Sequence, residues 1–284
     1  MGRATGHFDT IGLIYNAQSQ NAANLAITIM EWLDIGKRLW MCAAQELDPS
    51  VSDEKNADLI ITVGGDGTIL SASRLAAPKN IPILGINMGR LGFMTELRGT
   101  NAIEYLPTYF EEKTWLDKRA MIKADLVIGS NNKISFNALN DVVIGHGEIS
   151  RLINVEASID GDLIATYRAD AVLVSTATGS TGYNLSAGGS ILHPESRSIL
   201  LTPVAPHMAL KTPLVVPDTA NIKLTVKIAE KAVLSVDNFE RIRVNTGASV
   251  EIKSSGMVTS FLRSHKTPGF YSTLLKRLNT DNSN

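Results

Sequence analysis

The 284-residue chain has one cysteine, Cys42, so it can form neither an internal disulfide nor a thiolate cluster for zinc. A lone cysteine of this kind reads as a small core hydrophobe and fits a reducing compartment. Excess charge of either sign is lacking too: 27 Lys and Arg stand against 28 Asp and Glu. That balance gives no field able to gather nucleic acid or anionic lipid, so any phosphate must be held by a local site. No apolar run approaches the ~18 residues that a membrane helix requires. The first ten residues, MGRATGHFDT, lack the apolar stretch of a secretory signal and place Gly6 where myristoylation requires Ser or Thr. The cytoplasm is the expected compartment, with no nucleic acid and no membrane among the expected partners. Two phosphate motifs are also missing, G-x-G-x-x-G and G-x-x-x-x-G-K-[ST], which excludes by motif a Rossmann dehydrogenase and a P-loop kinase. The histidines, His7, His146, His193, His207 and His265, follow no metal-ligand spacing. Of these, His193 and His207 sit beside prolines and read as core or turn residues, and Trp32, Trp40 and Trp115 read as packing residues.

What is present falls into two halves with different periods. Ile11 to Tyr15 reads as a short buried strand, followed by Ala22, Leu25, Ala26, Ile29, Trp32 and Leu33 at helical spacing. Leu59 to Val63 is a continuous apolar run ending in glycines, as a central parallel strand would be. A helix from Thr68 to Ala77, with Ile69, Leu70, Ser73 and Ala76 on one side, leads to a further buried strand, Ile81 to Ile86. The order strand, helix, strand predicts a right-handed crossover in a parallel sheet. From about residue 120 the pattern alternates. Ile122 to Ile128, a polar Ser130-Asn131-Asn132-Lys133 turn and Ile134 to Ile144 read as a hairpin, and Asp160-Gly161 marks another. Strands are predicted at 221–228, 232–236, 241–244 and 249–253, and a last helix over 270–278 carries Tyr271, Leu274, Leu275 and Leu278. The expected fold is α/β plus β. Residues 1–100, joined by 266–284, form an α/β domain, and residues 101–265 form a β-rich domain.

Chemistry concentrates in Gly64-Gly65-Asp66-Gly67-Thr68, where a buried strand ends and a helix begins. Strand ends beside helix starts are where α/β sheets bind ligands. Glycines let the backbone approach a polyanion and turn its N–H groups inward, while the helix offers its positive end. A plain anion cradle gains nothing from a carboxylate, so Asp66 either holds a metal or accepts a proton. The bland alternative is a glycine-rich turn with Asp66 capping the helix. Asn140-Asp141, at a strand end, can grip neighbouring sugar hydroxyls with an amide and a carboxylate. Thr181, Tyr183 and Ser186 gather hydroxyls beside an aromatic face, which suits a purine edge and plane.

GGDGT is shared by NAD kinases, diacylglycerol and sphingosine kinases and, more loosely, phosphofructokinases. The other motifs decide among them. Asn87-Met88-Gly89-Arg90-Leu91-Gly92-Phe93 resembles the N-x-G-x-L-G-F segment of NAD kinases, and Leu139-Asn140-Asp141-Val142-Val143 their asparagine-acid dipeptide. The stretch DAVLVSTATGSTGYNLSAGG, Asp170 to Gly189, is similar to their threonine-, serine- and glycine-rich signature, and Pro203 to His207 and Pro213 to Pro217 fit the next block. The resemblance covers nearly the whole chain. It implies a Rossmann-like amino-terminal domain, a β-sandwich-like carboxy-terminal domain, a final helix returning to the first, and a site between the domains. The implied reaction moves the γ-phosphate of ATP, with a divalent metal such as Mg²⁺, to the 2′-hydroxyl of the adenosine ribose of NAD, making NADP.

In that reading Asp66 is the general base, Gly64, Gly65 and Gly67 contact the phosphates, and Asn87 is a further cofactor-binding residue. Asn140 and Asp141 hold the ribose. Asp170, Thr181, Gly182, Tyr183, Asn184, Leu185 and Ser186 line the dinucleotide pocket, with Arg151 and Arg168 as basic contacts. Strand alternation is expected to turn Arg168 and Asp170 to one face. The resemblance also implies a homodimer or homotetramer with the site shared between subunits; no protein ligand for the metal is assigned. Two departures stand out: Asp237-Asn238-Phe239 replaces the usual Asp-Gly-Gln or Asp-Ser-Gln, and STATGSTGY carries Ala177 for proline and Gly182 for alanine. Two rival readings differ in class. A lipid kinase would need a basic or amphipathic docking face, which is not visible, and a non-catalytic NAD-binding regulator would be expected to lose the acid that Asp66 supplies.

Overall fold

The computed structural model describes residues 3–4, 8–33, 38–47, 56–89, 92–111, 114–128, 132–147, 152–207, 210–228, 232–264 and 269–280. The chain divides into two compact units, Met1–Lys118 with Val258–Asn284, and Arg119–Met257.

The first unit is α/β. In chain order it contains β1 (Arg3–Ala4), β2 (Thr10–Tyr15), α1 (Gln20–Leu33), β3 (Arg38–Ala43), β4 (Leu59–Gly64), α2 (Asp66–Lys79), β5 (Ile83–Asn87), β6 (Leu97–Arg98), α3 (Ala102–Tyr105), α4 (Thr108–Glu111) and the start of β7 (Thr114–Ile128). Its sheet runs β3-β2-β4-β5, all parallel. Every residue of β4 and β5 is buried, as strands covered on both faces require. α1 buries one stripe, Ala22, Ala26, Ile29 and Leu33.

α2 departs from the one-sided pattern expected of it, because all of residues 68–77 except Arg74 are buried. Small side chains make this possible. The buried Ser73 hydroxyl donates to the Leu70 carbonyl at 2.8 Å, so it needs no solvent. β3 has no counterpart among the predicted strands. It pairs only with β2 among the described residues, and partial burial on such an edge blurs its alternation. Cys42 lies there half-buried, outside the fully buried core in which a lone cysteine was expected.

The second unit is all β apart from short helical turns. It continues β7 and adds β8 (Asn132–Ala138), β9 (Asp141–His146), β10 (Ile153–Ile159), β11 (Asp162–Ala169), β12 (Ala171–Ser175), α5 (Tyr183–Ser186), β13 (Ile199–Val204), β14 (Leu214–Val216), β15 (Ile222–Ile228), β16 (Ala232–Val236), β17 (Glu240–Val244) and the first part of β18 (Ser249–Arg263). One antiparallel sheet runs β14-β13-β12-β9-β16-β17; the other contains β11-β10-β15-β18, with β7 against β18 and β8 against β7. Inward residues of both form one core, among them Leu126, Val155 and Leu224 from one and Ile144, Val174 and Leu234 from the other. Each fully buried aliphatic side chain of this kind contributes ~1.5–3 kcal/mol.

The Asp160-Gly161 hairpin forms with both residues left-handed, φ 51° and 93°, the turn that suits strand twist. β7 and β8 pair as predicted, from Ile122 opposite Ala138 to Ile128 opposite Asn132; Ser130 and Asn131 lie outside the described residues. The return strand, however, does not run unbroken to Ile144. It stops at Ala138, and β9 joins the other sheet.

The final helix, α6 (Phe270–Thr280), belongs to the first unit, where the Phe270 ring lies 6.3 Å from that of Phe93. Of its expected packing residues Leu274 is buried while Tyr271 and Leu275 are exposed; the side chain of Leu278 lies outside the described residues.

Candidate active site

In the first unit the chain passes from β2 through α1 to β3 on one side, then returns to β4 and continues through α2 to β5 on the other. The order therefore reverses between β2 and β4, the crevice where open α/β sheets take their ligands. Asn16 follows β2 there and Gly64-Gly65 follow β4, tied by the Asn16 N–H donating to the Val63 carbonyl at 3.0 Å. Gly65 is extended, and its carbonyl accepts the N–H groups of Thr68 and Ile69, which starts α2 at Asp66. The glycines divide their duties. A side chain at Gly64 would collide with the Thr68 hydroxyl, whereas Gly65 and Gly67 face open space and leave the backbone approachable.

Asp66 is half-buried, and its Oδ2 accepts the Phe93 N–H at 3.2 Å. A Cβ on Gly92 would strike the Asp66 carboxylate, so the two groups can pack only because position 92 is glycine. The Gly92 N–H donates to Thr95 Oγ1 at 3.0 Å. The second motif thus ends directly against the acid of the first. Asn87 is buried and closes its own turn, its Oδ1 accepting the Gly89 N–H at 2.7 Å. Behind Thr95, the buried Arg263 donates to the Thr95 carbonyl at 3.2 Å and pairs with Glu96 at 3.0 Å and Asp117 at 3.3 Å.

The second unit carries the other predicted residues. Asn140 and Asp141 stand where β9 begins. Asp141 is buried, and that burial, followed by the nearby Asp237 carboxylate, pushes its carboxyl up to about 7. Asn140 Oδ1 is a buried atom with no hydrogen-bond partner among the described residues. The Asn140 carbonyl accepts the Thr176 N–H at 2.9 Å, and a Cβ on Gly179 would strike that carbonyl.

The hydroxyl signature forms a compact turn from Ala177 into α5. Ser180 Oγ donates to the Ala177 carbonyl at 2.6 Å and accepts the Leu192 N–H at 3.0 Å, and Thr181 donates back to the Thr178 carbonyl at 3.2 Å. Gly182 and Ser186 are exposed, Leu185 half-buried, and Tyr183 is 44% exposed. The Tyr183 phenol is raised by its partial burial, then by the charges of Asp170 and Asp141. Asn184 is turned inward and wholly buried, its amide donating to the carbonyls of Ser180 and Ser190 and accepting from Thr202. Its contribution is the shape of the loop.

Arg168 and Asp170 are both exposed, but Asp170 sits at the bend between β11 and β12, which belong to different sheets. The alternation argument for a shared face therefore stops at Ala169. His193 forms a turn, its Nδ1 accepting the Glu195 N–H at 3.3 Å, and the exposed His207 bridges to Arg168 through its backbone. Arg151, Arg90, Leu91, His7 and His265 lie outside the described residues. One residue of the site was missed in the sequence: Asp237, whose carboxylate accepts the N–H groups of Leu139, Asn140 and Asp141 at 2.8, 2.8 and 3.0 Å.

The family pattern of the ATP-NAD kinase N-terminal domain matches residues 45–114, and that of the ATP-NAD kinase C-terminal domain matches residues 139–264. The chain is 37% identical over 277 residues to an NAD kinase of Dehalococcoides mccartyi, covering 97% of this chain and 98% of that one. It is 34% identical over 271 residues to an NAD kinase of Chloroflexus aurantiacus, covering 95% and 98%. Among solved structures it shares the fold of the yeast NADH kinase complexed with NADH (TM-score 0.82, 23% identity, 97% and 89% covered). It shares the fold too of an NAD kinase from Archaeoglobus fulgidus in complex with ATP (TM-score 0.75, 23% identity, 95% and 98% covered). With both domain patterns matched and relatives of this similarity along nearly its full length, the chain belongs to the ATP-NAD kinase family.

Proposed function

We infer that this chain is an enzyme that phosphorylates NAD to NADP with ATP as donor. The observation that carries the reading is Asp66 at the start of α2, set between two glycines that leave the backbone open beside the strand-order reversal. In the transfer, the 2′-hydroxyl oxygen of the adenosine ribose bonds to the γ-phosphorus, the bond from that phosphorus to the β,γ-bridging oxygen breaks, and ADP leaves. The hydroxyl proton passes to the Asp66 carboxylate. A carboxylate is a weak base, so the proton leaves late, once the oxygen is already bonding to phosphorus. Phosphoryl transfer asks the protein mainly for alignment and charge neutralisation. Backbone N–H groups at Gly65 to Gly67 serve the second need, and Asn140 with Asp141 serve the first by gripping the ribose.

No group of three or more His, Cys, Asp or Glu side chains among the described residues is arranged to hold a metal ion. The residues present fit a divalent cation delivered on the ATP phosphates, with Mg²⁺ the proposed ion, entering as part of the donor substrate. Bound there, it would neutralise the charge that develops on the transferring phosphoryl group. Asp170, Thr181, Gly182, Tyr183, Leu185 and Ser186 are proposed to border the dinucleotide, and Asn184 to shape their loop. Arg168 and Arg151 are proposed as basic contacts. The proposed assembly is a homodimer or homotetramer with the site shared between subunits, and the proposed compartment is the cytoplasm. No described helix is long and apolar enough to cross a membrane.

The test is to incubate purified protein with Mg-ATP and either NAD or diacylglycerol and to follow NADP and phosphatidic acid. NADP alone is the expected product. Phosphatidic acid alone would make it a lipid kinase, and no product would leave a binding protein. Light scattering on the eluting protein measures the assembly.

A further inference from the structure

We propose that Asp237 is the positioning residue of the ribose-gripping dipeptide, holding the backbone of residues 139–141 so that the Asn140 and Asp141 side chains meet the sugar in one fixed arrangement. The inference rests on the reading that Asn140 and Asp141 grip the ribose. Three consecutive N–H groups converge on this one carboxylate: Leu139 on Oδ2, Asn140 and Asp141 on Oδ1. The Asp237 N–H in turn donates to the Asp141 carbonyl at 3.0 Å. Charge-assisted bonds of this kind are the strong ones, and three on a buried group leave the segment little freedom. The carbonyl side is held separately: Thr176 Oγ1 donates to the Leu139 carbonyl at 2.6 Å, and the Thr176 N–H to the Asn140 carbonyl. With its backbone groups occupied, the segment offers the ligand its side chains, including the unpartnered Asn140 Oδ1.

The geometry of the turn that carries this acceptor agrees. Asp237 and Asn238 link β16 to β17 with φ of 48° and 61°, left-handed values that cost a non-glycine residue energy unless the surroundings hold it there. Asp237 is itself buried, 96 residues along the chain from Asp141, and a carboxylate in that position is unfavourable without its donors. Turn formation alone does not require an aspartate at position 237, since Gly or Asn also takes left-handed backbone.

The experiment measures KM for NAD, KM for Mg-ATP, kcat and thermal unfolding for Asp237→Ala, Asp237→Asn and Asn140→Ala in the full-length enzyme. Asp237→Ala is expected to raise KM for NAD about tenfold or more, with KM for Mg-ATP within about twofold. Asp237→Asn, whose Oδ1 can still accept the Asn140 and Asp141 N–H groups, is expected to recover much of the loss. If Asp237→Ala does not fold, Asp237→Asn carries the test through a double-mutant cycle with Asn140→Ala, in which the two losses in NAD affinity are expected to be markedly non-additive. A lowered melting temperature with KM for NAD unchanged, equal losses for both substrates, or additive losses in the cycle would each overturn the proposal and leave Asp237 a fold residue. If Asn140→Ala itself leaves KM for NAD unaltered, the reading of the dipeptide as a ribose grip fails instead.

Discussion

Replacing Asp66 by Asn keeps the side chain's size and an oxygen for the Phe93 N–H, and takes away the carboxylate proposed to accept the proton. Turnover is expected to fall by ~10²–10⁴ while NAD binding stays within a few-fold. Rapid-quench single-turnover kinetics beside calorimetric NAD titration measure both, and near-normal turnover would remove Asp66 from the role of base. Asp141 makes a different prediction, because its acidity bears on folding. Its folded carboxyl is raised from 3.8 to about 7, so the folded protein keeps a proton that the unfolded chain has released. The stability it contributes is fully present below pH ~4 and is lost as pH rises through about 7. A shift of that size sets an upper limit of roughly 4 kcal/mol. Asp141→Asn, neutral at every pH, is expected to flatten the decline between pH 4 and 7 in urea unfolding curves. An unchanged slope would mean that Asp141 is ionised throughout this range. Asp66 was legible in the sequence because five adjacent residues make its turn; the raised Asp141 was not, because its burial, and after it the Asp237 carboxylate of the β16–β17 turn, come from parts of the chain distant in sequence.

At the scale of elements, the Gly92–Phe93 segment and the end of β18 support the α2 loop from behind. Gly92→Ala drives a methyl group into the Asp66 carboxylate, and displacing a reacting group by about an ångström costs ~10² in rate. The expected result is kcat reduced by ~10–10² with NAD affinity nearly unchanged; an equal loss of affinity would mean that the segment supports binding generally. Arg263→Ala leaves the buried carboxylates of Glu96 and Asp117 without their cation, which costs about 3–5 kcal/mol, readable as a lower denaturant midpoint. A midpoint within error of the parent would show that the pair contributes no net stability. Neither contact could be read beforehand. Arg263 lies 146 residues from Asp117 and 167 from Glu96, and no period or turn rule reaches across such a gap.

For the molecule as a whole, a ligand that binds only the folded chain stabilises it by mass action, by ~2.7 kcal/mol at a hundred times its Kd. NAD at that concentration is expected to raise the melting temperature of the parent protein. At the same concentration Asn140→Ala should gain clearly less, by the roughly 1–3 kcal/mol lost when a buried partner goes unpaired. Equal gains, measured by scanning calorimetry, would separate Asn140 from the ligand.

Short-range physics was readable directly. The mostly apolar runs of β4 and β5, the helical stripe of α1, the Asp160-Gly161 turn and the glycine loop around Asp66 each depend on residues close along the chain, whose spacing is the signal itself. Tertiary structure alone decided the rest. It split the expected return strand at Leu139 and Asn140, buried α2 nearly all round, and ended the strand of Arg168 at Ala169, leaving Asp170 at the bend into a strand of the other sheet. It brought Gly92 against Asp66, and Asp237 beneath Asn140 and Asp141. A hydrogen-bond acceptor 96 residues away leaves no periodic trace in either segment, so the partner of those three amides is defined only once β16 has paired with β9.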